Sequence, residues 1–531
     1  MNRLSRATLL SITLLSTTAL TEASHAAGFP PVIRLVSLSA GAGFRLDGAT
    51  ADDFSGWSVA KAGDVNGDGI GDVIIGANYA DPAGRLAAGS SYVVFGKSTD
   101  FTSPIALSAL NGTTGFRIDG RTAADRSGWS VSGAGDINGD GFDDVIVGAY
   151  GADPGGRSRA GSSYVIFGKA SGFAPSIAVS SLNGHNGFRI DGVATEDLSG
   201  QSVAAAGDVN GDGFGDLIIG ASGADPGGIT RPGSSYVVLG KAALFPSIFH
   251  LSSLNGSNGF RLDGVSAGDY SGLSVAGAGD VNGDGFDDVI VGANGADPLG
   301  QSVAGSSYVV FGKASLFPAK ISLSTLDGSN GFRLDGTLAG DNSGHAVAAA
   351  GDVNNDGFGD LIIGANKAGP TGKPTAGLSY VVFGKASGFN AKFKLSNLNG
   401  NNGFRLDGVA DLDQSGISVA GGGDVNGDGF DDVIVGAFYA DPAAKFGAGS
   451  TYVVFGKASG FAPAVKLSSL DGAGGFRIDG AVSGDRSGFS VSGAGDVNGD
   501  GIADVILGAY SADSTLASRI GMSYVVFGRT P

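Results

Sequence analysis

Side-chain oxygens recur in this 531-residue chain at positions 1, 3, 5 and 9 of a nonapeptide, Asp-x-Asn-x-Asp-Gly-x-x-Asp, which occurs seven times. In the first copy they belong to Asp64, Asn66, Asp68 and Asp72. Gly69 at position 6 permits a sharp turn, and the carbonyl of Ile70 at position 7 can add another oxygen. Three carboxylates with amide and carbonyl oxygens on one tight loop suit a hard cation that takes roughly six to eight oxygens, Ca²⁺ more than Mg²⁺. The later copies supply Asp136, Asn138, Asp140, Phe142 and Asp144; Asp208, Asn210, Asp212, Phe214 and Asp216; Asp280, Asn282, Asp284, Phe286 and Asp288. The last three supply Asp352, Asn354, Asp356, Phe358 and Asp360; Asp424, Asn426, Asp428, Phe430 and Asp432; Asp496, Asn498, Asp500, Ile502 and Asp504. Up to seven Ca²⁺ are expected, in equivalent sites. One copy alone would read as a metal-free Asx turn, but seven with every ligand position intact argue for metal. An EF-hand is excluded, because position 12 is Ile75 or Val147 in an apolar run rather than a bidentate Glu before a helix. Asn355 replaces Gly at position 4 of the fifth copy, which is not a ligand position.

The elements that must hold these loops recur with them, every 72 residues and without insertion. Each unit carries Gly-Phe-Arg-(Leu/Ile)-Asp-Gly from Gly43 onward, Ser-Gly-x-(Ser/Ala)-Val from Ser55, and a Tyr-Val-Val-Phe-Gly-like run from Tyr92. Fixed-period self-similarity marks a propeller, solenoid or array. Short apolar runs such as Val73–Ala77 and Tyr92–Phe95, set between Gly-rich turns, read as buried strands. The terminal units lack the polar capping faces of an open solenoid. The reading is all-β: a seven-bladed β-propeller over residues 27–531, in units of about 25–96, 97–168, 169–240, 241–312, 313–384, 385–456 and 457–528. Blades of four strands are expected. The seventh takes its outer strand from Val32–Gly48, so N- and C-terminal strands close the ring. Small residues such as Ala60 and Ala204 fall on the innermost strand, where the blades crowd the axis.

Arg3 and Arg6 precede the apolar stretch Ala7–Leu20 and the small-residue site Ser24-His25-Ala26. Residues 1–26 read as a secretory signal peptide cleaved after Ala26, and the protein as secreted, cell-surface or periplasmic. No segment reads as a membrane span. Cysteine is absent, which removes disulfides, thiolate metal sites and Cys nucleophiles. The net charge of −18 disfavours nucleic acid and anionic membranes. Almost all the acid is Asp, with Glu22 and Glu196 the only glutamates; the short side chain suits cages and turns better than a merely soluble surface does.

The runs Gly63-Asp64-Val65-Asn66-Gly67-Asp68-Gly69, Asp72-Val73-Ile74-Ile75-Gly76-Ala77 and Tyr92-Val93-Val94-Phe95, with their six copies, resemble the FG-GAP repeat, the blade of the integrin α-subunit β-propeller. That resemblance implies a calcium loop joining the first two strands of each blade on the lower face, and ligands engaging loops on the upper face. The family's Phe-Gly is Ser-Gly here, as at Ser55-Gly56, and its Gly-Ala-Pro ends in Asn78, Tyr150, Ser222, Asn294, Asn366, Phe438 or Tyr510. Cages in all seven blades also depart from the integrin pattern. A calcium-binding adhesion or interaction module is the expected function. A propeller-based hydrolase or lyase, or a purely structural envelope-associated protein, are the alternatives.

No catalytic set is legible. His185, His250 and His345 occupy unrelated positions, and recurrent serines such as Ser55 and Ser127 read as turn residues bonded to the Asp two positions earlier, such as Asp53. The most variable segment of each unit lies between the Gly-Ala and Ser-Tyr strands, on the face opposite the calcium loops. It carries Arg85, Arg157, Arg159, Arg231, Lys367, Lys373, Lys445 and Arg519. A protein or polysaccharide partner is expected at these loops, with a basic rim pointing to an anionic one. A monomer is expected.

Overall fold

The computed structural model describes residues 28–514 and 517–530; the signal peptide read over 1–26 lies outside the described residues. Seven sheets are arranged as the blades of a propeller, and no α-helix occurs among the described residues. In the first blade, Ser58–Gly63 lies innermost, followed outward by Asp72–Ala77, Ser90–Val94 and Gly115–Asp119, all antiparallel. The second strand is buried on both faces, which is why it is an unbroken β-branched run rather than an alternating one.

The blades have five strands rather than the expected four. A short parallel strand, Ser176–Ala178, leaves the next blade and pairs with Arg117–Asp119 at the outer edge of the first. The same latch recurs around the ring. It covers an edge that would otherwise expose unpaired N–H and C=O groups.

Ring closure holds, with one correction. Gly43–Asp47 forms the fourth strand of the seventh blade, beside Met522–Val526. Val32–Arg34 does not belong to that strand; it latches onto Arg477–Asp479 of the sixth blade. Residues 35–42 turn between them and include a short 3₁₀ turn at Leu35–Ser37, so the N-terminal segment fastens two blades. Near the axis, the Val59 N–H donates to Ser490 Oγ at 3.0 Å, sealing the first blade against the last. Serine accepts in this way at five other junctions, as where Val131 N–H donates to Ser58 Oγ.

The hydrophobic core is not inside a blade but between blades. Ile74 and Val93 of the first pack with Val131, Val147 and Tyr164 of the second, and six further clusters repeat the arrangement. Each blade therefore stabilises both neighbours. The Arg and Asp of Gly-Phe-Arg-(Leu/Ile)-Asp-Gly stand two apart on one face of the fourth strand and pair with each other, as in Arg45–Asp47 at 2.6 Å.

Candidate functional site: oxygen-rich loops and an aromatic sector

Each nonapeptide joins the innermost strand to the second, so all seven loops emerge at one face. A bulge between Lys61 and Gly63 leads into the first. Gly69 has φ +84°, a left-handed backbone that β-carbon-bearing residues avoid. Asn355, at position 4 of the fifth loop, has φ +54°, and asparagine tolerates this region. Its Nδ2 donates to the Gly429 carbonyl of the next loop at 3.3 Å.

Within the first loop, Asp64 accepts from the N–H groups of Asp68 and Gly69, Asn66 Oδ1 from Asp68, and Asp68 Oδ1 from Ile70. Asp72 is fully buried; its two oxygens accept from Gly96 N–H at 2.9 Å and Val65 N–H at 3.0 Å. It thereby ties the end of the third strand to the loop, and the equivalent bonds recur in every blade. Burial pushes the Asp72 carboxyl up to about 8, against the pull of those two N–H groups, and Asp68 and Asp64 add to the rise. Asp144, Asp288, Asp360 and Asp432 are likewise raised to about 8, and Asp216 and Asp504 to about 7.

These residues fit a hard cation by the chemistry of the set. Only oxygens are offered, and in the first loop each carboxylate oxygen accepts a single hydrogen bond and keeps acceptor capacity, whereas Oδ1 of Asp136, Asp208 and Asp280 accepts two. None of the ion pairs among the described residues involves a loop carboxylate, so no basic side chain offsets the charge. Among the described residues, no three acidic, His or Cys side chains are drawn onto one point; the loops are closed by their own N–H groups.

The opposite face breaks the seven-fold repetition. Trp57 precedes the innermost strand and Tyr510 follows a second strand, so both stand at the end of the blades away from the nonapeptide loops. Trp57 packs on Trp129 and on Phe489, each with ring centroids 4.8 Å apart, and on Tyr510 at 5.1 Å. Tyr150 continues the cluster from Trp129, and Phe438 from Phe489. The aromatic sector thus spans blades six, seven, one and two. Two arginine–tyrosine pairs flank it: Arg126 lies 3.6 Å from the Tyr79 ring and Arg486 4.1 Å from Tyr439. Buried Nη1 atoms of both arginines lack a hydrogen-bond partner, as do both polar side-chain atoms of buried Asn78. In blades three and five the corresponding positions are polar: Gln201 with Ser222, and His345 with Asn366.

Sequence reasoning missed this sector. The signal was present in one column of the repeat, where Trp57, Trp129 and Phe489 align with Gln201, Leu273, His345 and Ile417. Only ring closure makes the first and last of these neighbours.

The basic rim is largely consumed by the fold. Arg85 donates to the Gly120 carbonyl, Arg157 to Gly192, Lys445 to Ala481 and Lys373 to Val409. Arg159 pairs with Glu196, and Arg519 with Asp52. The serine expectation is corrected too. Ser55 and Ser127 are buried with unpartnered hydroxyls, while Asp53 accepts instead from Thr50 N–H at 3.0 Å. The histidines are scattered: His250 Nδ1 stands 3.8 Å from Asp191, and burial holds the His345 imidazole down at about 4.

This is an integrin-alpha-like β-propeller. The FG-GAP repeat model matches residues 55–94, 127–166, 199–238, 271–310, 343–382, 415–454 and 487–526, and the chain belongs to that family. It is 32% identical over 254 residues to integrin alpha pat-2 of Caenorhabditis elegans, covering 47% of this chain and 18% of that one. It is 31% identical over 225 residues to integrin alpha-PS2 of Drosophila melanogaster, covering 41% and 15%. It is 32% identical over 195 residues to integrin alpha-IIb of Mus musculus, covering 35% and 16%. The matched region thus spans less than a fifth of each of these relatives. No helix among the described residues is long and apolar enough to cross a membrane.

Proposed function

We propose that this chain is an exported adhesion or interaction module whose seven loops bind Ca²⁺ and which engages a protein or polysaccharide through the face opposite those loops. Kinship with integrin alpha chains supports the interaction role. The observation that carries the placement is the aromatic sector of blades six, seven, one and two, because it alone distinguishes one side of a nearly uniform ring. Half-buried aromatic rings beside guanidinium groups combine apolar contact with hydrogen-bond donors, the composition of interface centres. Calcium's part is to hold the opposite ends of the inner hairpins, so that the sector is presented on a rigid support.

The test uses immobilised protein and polysaccharide fractions of a cell-surface extract. The parent chain should be retained by one fraction, and the Trp57→Ala/Trp129→Ala variant should lose retention with its calcium content unchanged. Equal retention of the two would remove the sector from the contact.

A further inference from the structure

Position 8 of the calcium loop alternates around the ring. It is Asp143, Asp287 and Asp431 in the second, fourth and sixth units, Gly71, Gly215 and Gly359 in the first, third and fifth, and Ala503 in the seventh. At every blade junction its backbone N–H donates to the position-1 carbonyl of the preceding loop, as from Asp143 to Asp64 at 3.2 Å and from Gly71 to Asp496 at 2.8 Å. At three junctions the carboxylate makes a second bond. The N–H groups of Asp64, Asp208 and Asp352 donate to Oδ2 of Asp143, Asp287 and Asp431, each at 2.8 Å. The seat has room for it, as do its equivalents at Gly135, Gly279, Gly423 and Gly495. Gly63, Gly207 and Gly351 have positive φ, and a β-carbon on any of them would lie 2.2 Å from the arriving Oδ2. The next blade donates to the position-1 and position-2 carbonyls of all seven loops, the latter as from Lys169 N–H to Val65, and the first, third and fifth loops gain the carboxylate bond in addition.

We propose that the calcium loops form two classes, with the first, third and fifth the tight sites, because Asp143, Asp287 and Asp431 clamp them and bring a negative charge to the first ligand. The inference rests on the calcium reading above. Calcium affinity in oxygen cages follows ligand charge and site rigidity; the clamp raises the rigidity and sets a further negative charge beside the first ligand. The acids act through Asp64, Asp208 and Asp352, so they are positioning residues. The pairing also explains why the odd unit is left out: alternation cannot close around seven, and Ala503 faces Gly423 where a carboxylate would otherwise sit.

The full chain, stripped of metal, would be titrated with Ca²⁺ in competition with a chromophoric chelator. Three ions should bind roughly tenfold more tightly than the other four, the scale of one charge-assisted hydrogen bond. Asp143→Asn/Asp287→Asn/Asp431→Asn removes the charge and keeps the shape; it should still take seven ions, now in a single weaker class. Ala503→Asp should convert the sixth loop and give four tight ions, using a glycine seat that already exists. A single class in the parent, a tight class surviving the triple change, or an unchanged profile for Ala503→Asp would each overturn the inference. If the triple variant fails to fold, the parent and Ala503→Asp titrations decide. Seven ions in one class would sink this inference alone, whereas no calcium binding would sink the calcium reading with it.

Discussion

Aspartate closes turns at both ends of each blade. In the nonapeptide loop, the carboxylates at positions 1 and 5 close the turn by accepting its N–H groups. At the opposite end, Asp53, Asp125 and their equivalents cap a tight turn from a buried position, as where Thr122 N–H donates to Asp125. Desolvation outweighs that bond and pushes Asp53, Asp125 and Asp485 up to about 6; Asp197, Asp269, Asp341 and Asp413 shift in the same direction. A carboxyl whose pKa is higher folded than unfolded holds its proton longer in the folded state. Between pH 4 and pH 6 these groups therefore make stability fall as pH rises, opposite to a salt-bridged carboxylate. In saturating calcium, Asp125→Asn should raise stability at pH 7 by ~1–3 kcal/mol, with no gain near pH 4, measured by denaturant melts. A loss at pH 7 would mean that the carboxylate charge stabilises this turn. The loop aspartates were legible because their spacing repeats seven times. The hydrogen bond from Gly96 N–H to Asp72 was not, since it joins residues 24 apart whose proximity exists only once the hairpin forms.

Strands and turns were readable where the repeat imposed them, and less so at the blade edge. Ser176–Ala178 is too short and too exposed to show a strand pattern, and its role depends on a neighbouring blade's outer edge being open. The same physics splits the N-terminal segment between two blades. Phe29 anchors it, stacked on Phe476 at 4.1 Å with Arg529 over its ring. Phe29→Ala should cost ~3–5 kcal/mol by leaving that contact empty. A chain beginning at Thr50 should do worse, because it uncovers both Met522–Val526 and Gly475–Asp479. Size-exclusion chromatography with light scattering should find it associated or aggregated; a monomer as stable as the parent would mean that the ring does not need its N-terminal fastening. Each calcium loop is a separate element, so Asp68→Ala and Asp356→Ala should each lower bound calcium from seven ions to six, by elemental analysis at saturation.

At the scale of the whole molecule, the ring has two unlike faces. One is nearly seven-fold and carries the oxygen-rich loops; the other concentrates its aromatic residues over four blades. The first was legible from periodicity alone. The second was not, because Trp57 and Phe489 stand at opposite ends of the chain and become neighbours only when Gly43–Asp47 completes the last blade. Part of the basic rim has a structural use for a related reason: Arg85 and Arg157 reach carbonyls in the following unit, a use of charge that sequence position does not reveal. Calcium bound in the seven loops should stiffen this ring. Ligands that bind the folded state alone raise its stability by mass action. Calorimetry of metal-stripped protein against a calcium series measures this directly. The account predicts a melting temperature that rises steadily with free calcium and falls back in excess chelator. An identical melt with and without calcium, on protein shown to be metal-free at the start, would contradict it.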